Sequence, residues 1–391
     1  MKRFILSVFC VAALAGCGSG SDGVQARLDE FAEIEIGSSF FEGISDNGRE
    51  VLNYFKLASA VVDDIYWQQS FGDRQQLTGL GSRALKDFAA LNYGPWNRID
   101  GQSFVEGWGE RPLGANFYPA DMTAEEFAAW DEPLKNSPYT LVRRDAEGKL
   151  TAVWYHDAYA AEIEKICNYL ASAANYTIKE SVHDYLEAKI AGLQTDDYYA
   201  GDVLWLSMDD SKMDLIIGPQ ETEDDRLLDI KASYESYVLL KDLELTAKVN
   251  GFTAMIPALQ ESLPCDAAYK TFAPGAASTI FVYDEVYGAG SANAGVKKIA
   301  VNLPYDLRVQ EEQGTRTAVF NNVINAKKGM VAEFPDGIEV VTATLLHVIG
   351  EGVGVERAGE FCHRQCLVVG LVNAHILGAH GIPHIEVVLV G

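Results

Sequence analysis

The chain has 391 residues, a length typical of two or three domains. Hydrophobic residues make up 48% of it, which is enough for a sizeable packed core and too much for a largely disordered protein. Its 31 basic and 56 acidic side chains give a formal net charge of −25. Such a surface repels phosphate backbones, which argues against nucleic acid as a partner. Beyond the N-terminus, no apolar run is long enough to span a bilayer.

The first residues have the order of a secretory signal: a basic start, an apolar stretch over 4–14 and small residues before Cys17. Leu14-Ala15-Gly16-Cys17 is similar to a bacterial lipobox. We therefore expect a lipoprotein signal peptide over 1–16, lipidation of Cys17 and a flexible linker over 17–30. This places the protein in the bacterial cell envelope, periplasm-facing and in contact with the membrane through a lipid anchor only. A buried N-terminal helix explains this order of segments poorly.

Apolar periodicity predicts helices over about 24–92, with Leu52, Phe55 and Ile65 among the residues on one buried face. The stretch 92–138 is rich in Gly, Pro and Trp and is predicted to form ordered loops. Within it, Thr123 and Glu126 have the spacing of a capping box, which predicts the start of a short helix.

The second half of the chain mixes predicted helices and strands without a regular alternation. Helices are expected over 156–193 and 221–249, and strands over 203–207, 213–217, 279–287 and 298–303. This pattern favours an α+β fold over a doubly wound parallel sheet.

The composition changes near residue 329, after which no Tyr, Trp or Lys occurs, while five of the seven His lie in this tail. A separate domain is one explanation. A shift of reading frame in the coding sequence explains the same change more simply, and would scatter His and Cys as observed.

Three segments, in order, carry a resemblance to a known family. They are Leu91–Trp96 with Pro112–Pro119, Ile216–Asp225 with Lys231–Val238, and Ile299–Asp306 with Gly314–Arg316 and Asn322–Lys327. Together they resemble the short bacterial branch of the dipeptidyl-peptidase III family, which are zinc-dependent peptidases, over a region that we bound at 31–328.

The resemblance implies two lobes around a cleft, predominantly helical, with a small mixed β-sheet or barrel-like core. It also implies that short peptides lose a dipeptide from their N-terminus, with Glu221, Tyr93 and Asn116 as substrate-binding residues. The residues alone also allow a second interpretation of Glu221, as an acid that stabilises the N-terminus of a helix. For Tyr93, the alternative is an aromatic packing anchor in a Gly/Pro-rich loop. The adjacent Glu223, Asp224 and Asp225 are interpreted as helix-dipole charges.

Zinc is the cofactor that the family implies, held by two His and a carboxylate, with a fourth position left for water. A His-Glu-x-x-His helix meets that need. This chain departs from the motif: the segment 346–354 has His347, a Val where the base belongs and Glu351 in place of the second His. His347 is therefore the single metal ligand that we predict, and the tail 329–391 stands where the zinc-binding region is expected.

Two functions of different classes follow. The first is a zinc-dependent dipeptidyl peptidase in which the incomplete motif casts doubt on activity. The second is a non-catalytic peptide-binding lipoprotein that keeps the cleft. A solute-capture lipoprotein that supplies a transporter is a third reading, which rests on fold-level analogy.

Overall fold

The structure is a computed structural model that describes residues 7–9, 21–253 and 279–331. Its helices are α1 Ser21–Leu28, α2 Asp46–Ser70, α3 Arg83–Asn92, α4 Ala124–Ala129, α5 Tyr155–Ala158, α6 Ala160–Tyr176, α7 Glu180–Thr195, α8 Tyr199–Ser207, α9 Leu243–Thr253, α10 Leu307–Gln313 and α11 Asn321–Val331. Its strands are β1 Ser7–Phe9, β2 Phe31–Glu33, β3 Thr140–Arg144, β4 Leu150–Trp154, β5 Met213–Pro219, β6 Tyr234–Lys241, β7 Thr279–Gly290, β8 Ala300–Leu303 and β9 Arg316–Phe320.

Helix α2 is the central element of the helical layer. It begins where the Ser45 side chain accepts a hydrogen bond from the Gly48 backbone at 3.2 Å. Leu52, Phe55 and Ile65 are among its buried residues, as their spacing predicts. The helix packs against α6 on one side and against β5, β6 and β7 on the other, so its burial joins the helical layer to the sheet.

The main sheet has five strands in the order β5-β6-β7-β9-β8. Strands β5, β6 and β7 pair antiparallel, β7 and β9 pair parallel, and β8 pairs antiparallel with β9. Every residue of β6 is buried, and its Ser236 hydroxyl lies 2.8 Å from that of Ser59 on α2. Among the described residues, β8 lies at the edge of this sheet.

Several local predictions are confirmed. Helix α4 begins at Thr123, whose hydroxyl accepts a hydrogen bond from the Glu126 backbone at 3.1 Å. The predicted helical region 156–193 contains α5, α6 and α7, and the strands expected over 213–217, 279–287 and 298–303 correspond to β5, β7 and β8.

Two predictions are wrong. Residues 203–207 form the end of helix α8, in which Trp205 is buried and donates to Asp214 at 2.9 Å. A short apolar run fits a helix and a strand equally well, which explains this error. The predicted helix 221–249 is instead a turn-rich segment followed by β6 and the first part of α9. No helix begins at 221, so the helix-dipole interpretation of the acids at 221–225 is also wrong.

The α+β fold with a small mixed sheet is confirmed. Of the predicted signal peptide 1–16, the described residues are Ser7–Phe9, which pair antiparallel with β2. Cys17 and all but the first three residues of the tail 329–391 lie outside the described ranges, and these assignments stay predictions. No helix in the described part of the chain combines the length and apolarity that crossing a bilayer requires.

Candidate functional site

A cluster of charged side chains gathers where β5 ends. The chain leaves β5 at Pro219 and runs beside the segment before β6: Gln220 N–H donates to Ser233 at 3.1 Å, and Ser233 N–H donates to Glu221 at 2.9 Å. These two bonds extend the β5–β6 hairpin and hold residues 221–225 in place. The segment that precedes β8 brings Lys298 to them from the other side.

The outer part of this cluster, which we call the rim, consists of Glu221, Glu223 and Lys298. The Lys298 ammonium contacts the Glu221 carboxylate and lies 3.1 Å from Glu223. The three side chains are 18%, 24% and 21% exposed, so they are open to a ligand while their charges are partly shielded from water. With all three ionised, the rim carries one net negative charge.

The rim is supported from behind by Asp224, which is buried. Its carboxylate accepts hydrogen bonds from Arg98, from Arg111 at 2.7 Å, from Tyr66 at 2.6 Å and from Ser233 at 3.0 Å. Burial alone would raise the pKa of Asp224, but the two guanidinium groups hold it well below its usual range. Asp224 is therefore a fixed anion that locks the loop carrying Glu221 and Glu223.

The rim groups have shifted pKa values in opposite directions. Burial, and then the charge of Asp224, raise the pKa of Glu223, whereas burial and the nearby Arg98 lower the pKa of Lys298 to about 7. Both ions are thus less favoured at the rim than in water. A cationic group of a ligand that took the place of Lys298 would meet the same two carboxylates.

Deeper still, β6 and β7 bring two further carboxylates to the same region. Glu285 pairs with Lys297 at 2.5 Å, and Gly288 leaves room for this pair, because a Cβ there would force the two side chains to shift. Glu235 is buried; it accepts a 3.3 Å hydrogen bond from Tyr237, and its other oxygen has no partner among the described residues. Burial and the charge of Glu223 raise the pKa of Glu235.

This arrangement predicts a pH-dependent effect of Glu235→Gln. Because the folded-state pKa lies above the unfolded value near 4.5, the stability that protonated Glu235 contributes is present below that value and is lost as pH rises through the folded-state pKa. We expect the variant to match the wild type at pH 4.5 and to be about 1–3 kcal/mol more stable at pH 8. Urea unfolding at both pH values measures this difference.

The matched control is Glu285→Gln. This substitution removes the Glu285 carboxylate and leaves Lys297, whose side chain is 1% exposed, without the anion that it contacts. The variant is therefore expected to lose stability at pH 8. A Glu235→Gln variant that also loses stability at pH 8 would contradict a raised pKa for Glu235.

The structure places Tyr93 behind the rim. Its ring is 4% exposed and packs edge-on against Tyr66 at 4.8 Å between centroids. Its hydroxyl donates to Asp63 at 2.5 Å, and the same carboxylate oxygen accepts from Gly290 N–H at 2.7 Å. Gly290 has φ of +65°, and a Cβ there would lie 2.3 Å from a backbone oxygen, so this turn needs glycine. Tyr93 thus anchors the packing next to the site.

Asn116 lies elsewhere, in a separate cavity, where its side chain donates to the Gln68 carbonyl at 2.7 Å. The structure therefore buries Tyr93, places Asn116 at that cavity and places Glu221 at the rim. His347 lies outside the described residues. Within the described ranges, no three His, Cys, Asp or Glu side chains are grouped so as to hold a metal ion, and these residues do not form the expected zinc site.

Sequence reasoning missed Lys298, Asp224 and the two arginines that bind it. Their separation explains this: Lys298 is 77 positions from Glu221, and Arg98 is 126 positions from Asp224. A signal was nevertheless present, because Arg98 and Arg111 are cations within a Gly/Pro-rich loop of an acidic chain.

The chain was compared with known proteins. No family model matches it. Nudix hydrolase 3 of Arabidopsis thaliana is 25% identical over an alignment of 368 residues, which covers 78% of this chain and 47% of the plant protein. The chain thus spans about half the length of this relative, and the name of the whole plant protein does not transfer to it.

Two solved structures are similar. The dipeptidyl peptidase III of Caldithrix abyssi has a TM-score of 0.74 and 30% identity over 82% of this chain and 65% of its own. The enzyme from Corallococcus sp. strain EGB has a TM-score of 0.76 and 27% identity over 85% of this chain and 67% of its own. Two such matches extend over most of the described fold. The chain is therefore related to dipeptidyl peptidase III, and the family resemblance that its sequence predicts is confirmed.

Proposed function

We propose that this protein is a zinc-dependent peptidase of the dipeptidyl-peptidase III type, which releases dipeptides from the N-terminus of short peptides. The observation that carries the proposal is the rim: two partly exposed carboxylates held by a single lysine, next to an edge strand, in a fold similar to two such enzymes.

The rim has the chemistry to bind the amino terminus of a peptide. The α-ammonium group would take the place of the Lys298 ammonium and donate to Glu221 and Glu223, whose ionised carboxylates only accept hydrogen bonds. The ligand would thereby displace Lys298 from both carboxylates. The acidic surface attracts cationic peptide termini toward the rim, in keeping with the net charge of −25.

Strand β8 can pair with the rest of the peptide. It begins at Ala300, two residues after Lys298, and lies at the edge of the described sheet. An edge strand offers backbone N–H and C=O groups to an extended peptide, which adds to the sheet as a further strand. A peptide fixed at its amino terminus would then be held in a defined register.

Zinc supplies a polarised water for peptide hydrolysis when it is bound by two His and a carboxylate. No step is assigned to the described residues through this ion, since none of their groups fits it. The second candidate, a non-catalytic peptide-binding lipoprotein, is favoured by the departure of the sequence from the His-Glu-x-x-His motif.

The two candidates are separated by assays on the purified full chain. Stoichiometric zinc, measured by plasma mass spectrometry, together with hydrolysis of a dipeptidyl arylamide supports the peptidase. Metal-free, inactive protein that still binds short peptides in the presence of a chelator supports the binding protein. The absence of both hydrolysis and peptide binding would remove both candidates.

We also propose that the protein is anchored in the bacterial envelope by a lipid on Cys17. Mass spectrometry of the protein from membrane fractions should show an acylated N-terminal Cys17. Cys17→Ala should abolish the modification and leave the protein in the detergent-poor phase. An unmodified Cys17 in membrane-extracted protein would contradict the anchor.

A further inference from the structure

A cavity with a volume of about 670 Å³ lies apart from the rim. It lies between the end of α2, the turn that follows it, the β3–β4 hairpin and the start of α6. None of its lining residues belongs to the rim. Asn116, which the family resemblance implies is a substrate-binding residue, lines this cavity instead.

Arg143 is one of two arginines that line the cavity; the other, Arg74, pairs with Asp64. The Arg143 guanidinium donates to the carbonyls of Phe117 at 3.1 Å, Val142 at 2.8 Å and Asn116 at 3.0 Å. All of these acceptors are neutral, and Arg143 makes no ion pair with another described residue. Arginine keeps its charge at neutral pH. The cavity therefore contains a positioned guanidinium that no carboxylate of the described residues contacts directly, although Asp64, Asp73 and Glu162 also line the cavity.

Tyr159 adds a hydrogen-bond donor to the same wall. The residue is 2% exposed, and its hydroxyl has no hydrogen-bond partner of normal geometry in the described part of the chain, although the Gln69 amide is near enough to lower its pKa. Burial has a larger effect than the Gln69 amide and raises the pKa of Tyr159, so the hydroxyl stays protonated. A buried hydroxyl without a partner is costly, and a ligand oxygen would satisfy it.

The other polar groups of the cavity limit the charge of a ligand. Glu162 accepts a hydrogen bond from Gln68 at 3.1 Å, and Asp64 pairs with Arg74 at 3.1 Å. Their negative charges disfavour a dianion such as phosphate. The remaining wall includes the apolar side chains of Trp67, Leu141 and Val153, which can cover a hydrocarbon group.

We infer that this cavity binds a small monocarboxylate with an apolar body, its carboxylate held by the Arg143 guanidinium and the Tyr159 hydroxyl. One carboxylate neutralises the unpaired cation and accepts from both donors, while its apolar part lies against the Trp67 side of the cavity. This inference is independent of the proposed peptidase function, because it uses no residue of the rim.

Calorimetric titration of the full chain with benzoate tests it. Benzoate is expected to bind saturably in the millimolar range or tighter. Tyr159→Phe should weaken that binding about tenfold or more, since it removes a hydrogen bond to a charged group. The thermal midpoint should stay the same or rise, because the lost hydroxyl has no hydrogen-bond partner of normal geometry among the residues that the structure describes. Undetectable binding to the wild type, or equal affinity of the variant, would overturn the inference.

Two further measurements fix the ligand class. Glu162→Gln, the matched control, removes a neighbouring negative charge and should tighten benzoate binding, the opposite direction to Tyr159→Phe. Inorganic phosphate should compete poorly with benzoate. Phosphate that binds more tightly than benzoate would refute the assignment of a monocarboxylate site.

Discussion

Replacement of Asp224 by Asn is expected to lower the free energy of unfolding by about 3–5 kcal/mol, the typical effect of breaking a buried ion pair from one side. Arg98 and Arg111 share this carboxylate, and their side chains are only 13% and 6% exposed. An Asn side chain keeps the volume of the aspartate but removes the charge. Both guanidinium groups would then remain buried without the anion that they contact.

Urea unfolding at pH 7 measures this loss, and Asp87→Asn is the matched control. Asp87 also pairs with an arginine, Arg83, at 3.2 Å, but its side chain is 52% exposed. Exposed pairs contribute little, so the control should change stability by about 0.5 kcal/mol or less. Similar losses in the two variants would show that burial of the Asp224 cluster does not determine its contribution.

The elements that the sequence predicts well are those whose burial is one-sided. In α2, the buried residues Leu52, Phe55 and Ile65 follow the helical repeat, because one face of the helix is covered. The start of α4 was equally clear, since the Thr123 cap is a local interaction between residues three apart. Such features leave a pattern within a short stretch of sequence.

Strand β6 shows why other elements were mistaken. All of its residues are buried, so it lacks the alternation of apolar and polar positions that marks a half-covered strand. Tyr234, Tyr237 and Val238 then fit a helical spacing by coincidence. Even Glu235, a charged residue within this strand, is fully buried.

The candidate site could be predicted only in part, for a related reason. The segment Ile216–Asp225 was recognised through the family resemblance, and Glu221 within it lies at the rim. Its partner Lys298, on the segment before β8, could not be found, because a contact between residues 77 positions apart leaves no local spacing to detect. Tyr93 and Asn116 belong to the same resemblance, yet the fold carries them to the packed interior and to a different cavity.

Replacement of Glu221 by Gln is expected to weaken the binding of a short peptide with a free amino terminus by about 10- to 100-fold, the loss typical of a hydrogen bond to a charged group. Gln has the same shape but no charge to offer an ammonium group. Calorimetric titration of the chelator-treated full chain with tetra-alanine measures the effect on binding alone, whether or not the protein hydrolyses peptides.

Three controls make this result specific to the rim. N-acetylated tetra-alanine lacks the ammonium group, so it should bind the wild type weakly, and Glu221→Gln should weaken it no further. Lys298→Met removes the internal cation that occupies both carboxylates and should tighten binding of the free peptide. Glu50→Gln, at an exposed position of α2, should change nothing. If Glu221→Gln weakened the free and the acetylated peptide equally, the rim would not be the binding site for the peptide amino terminus.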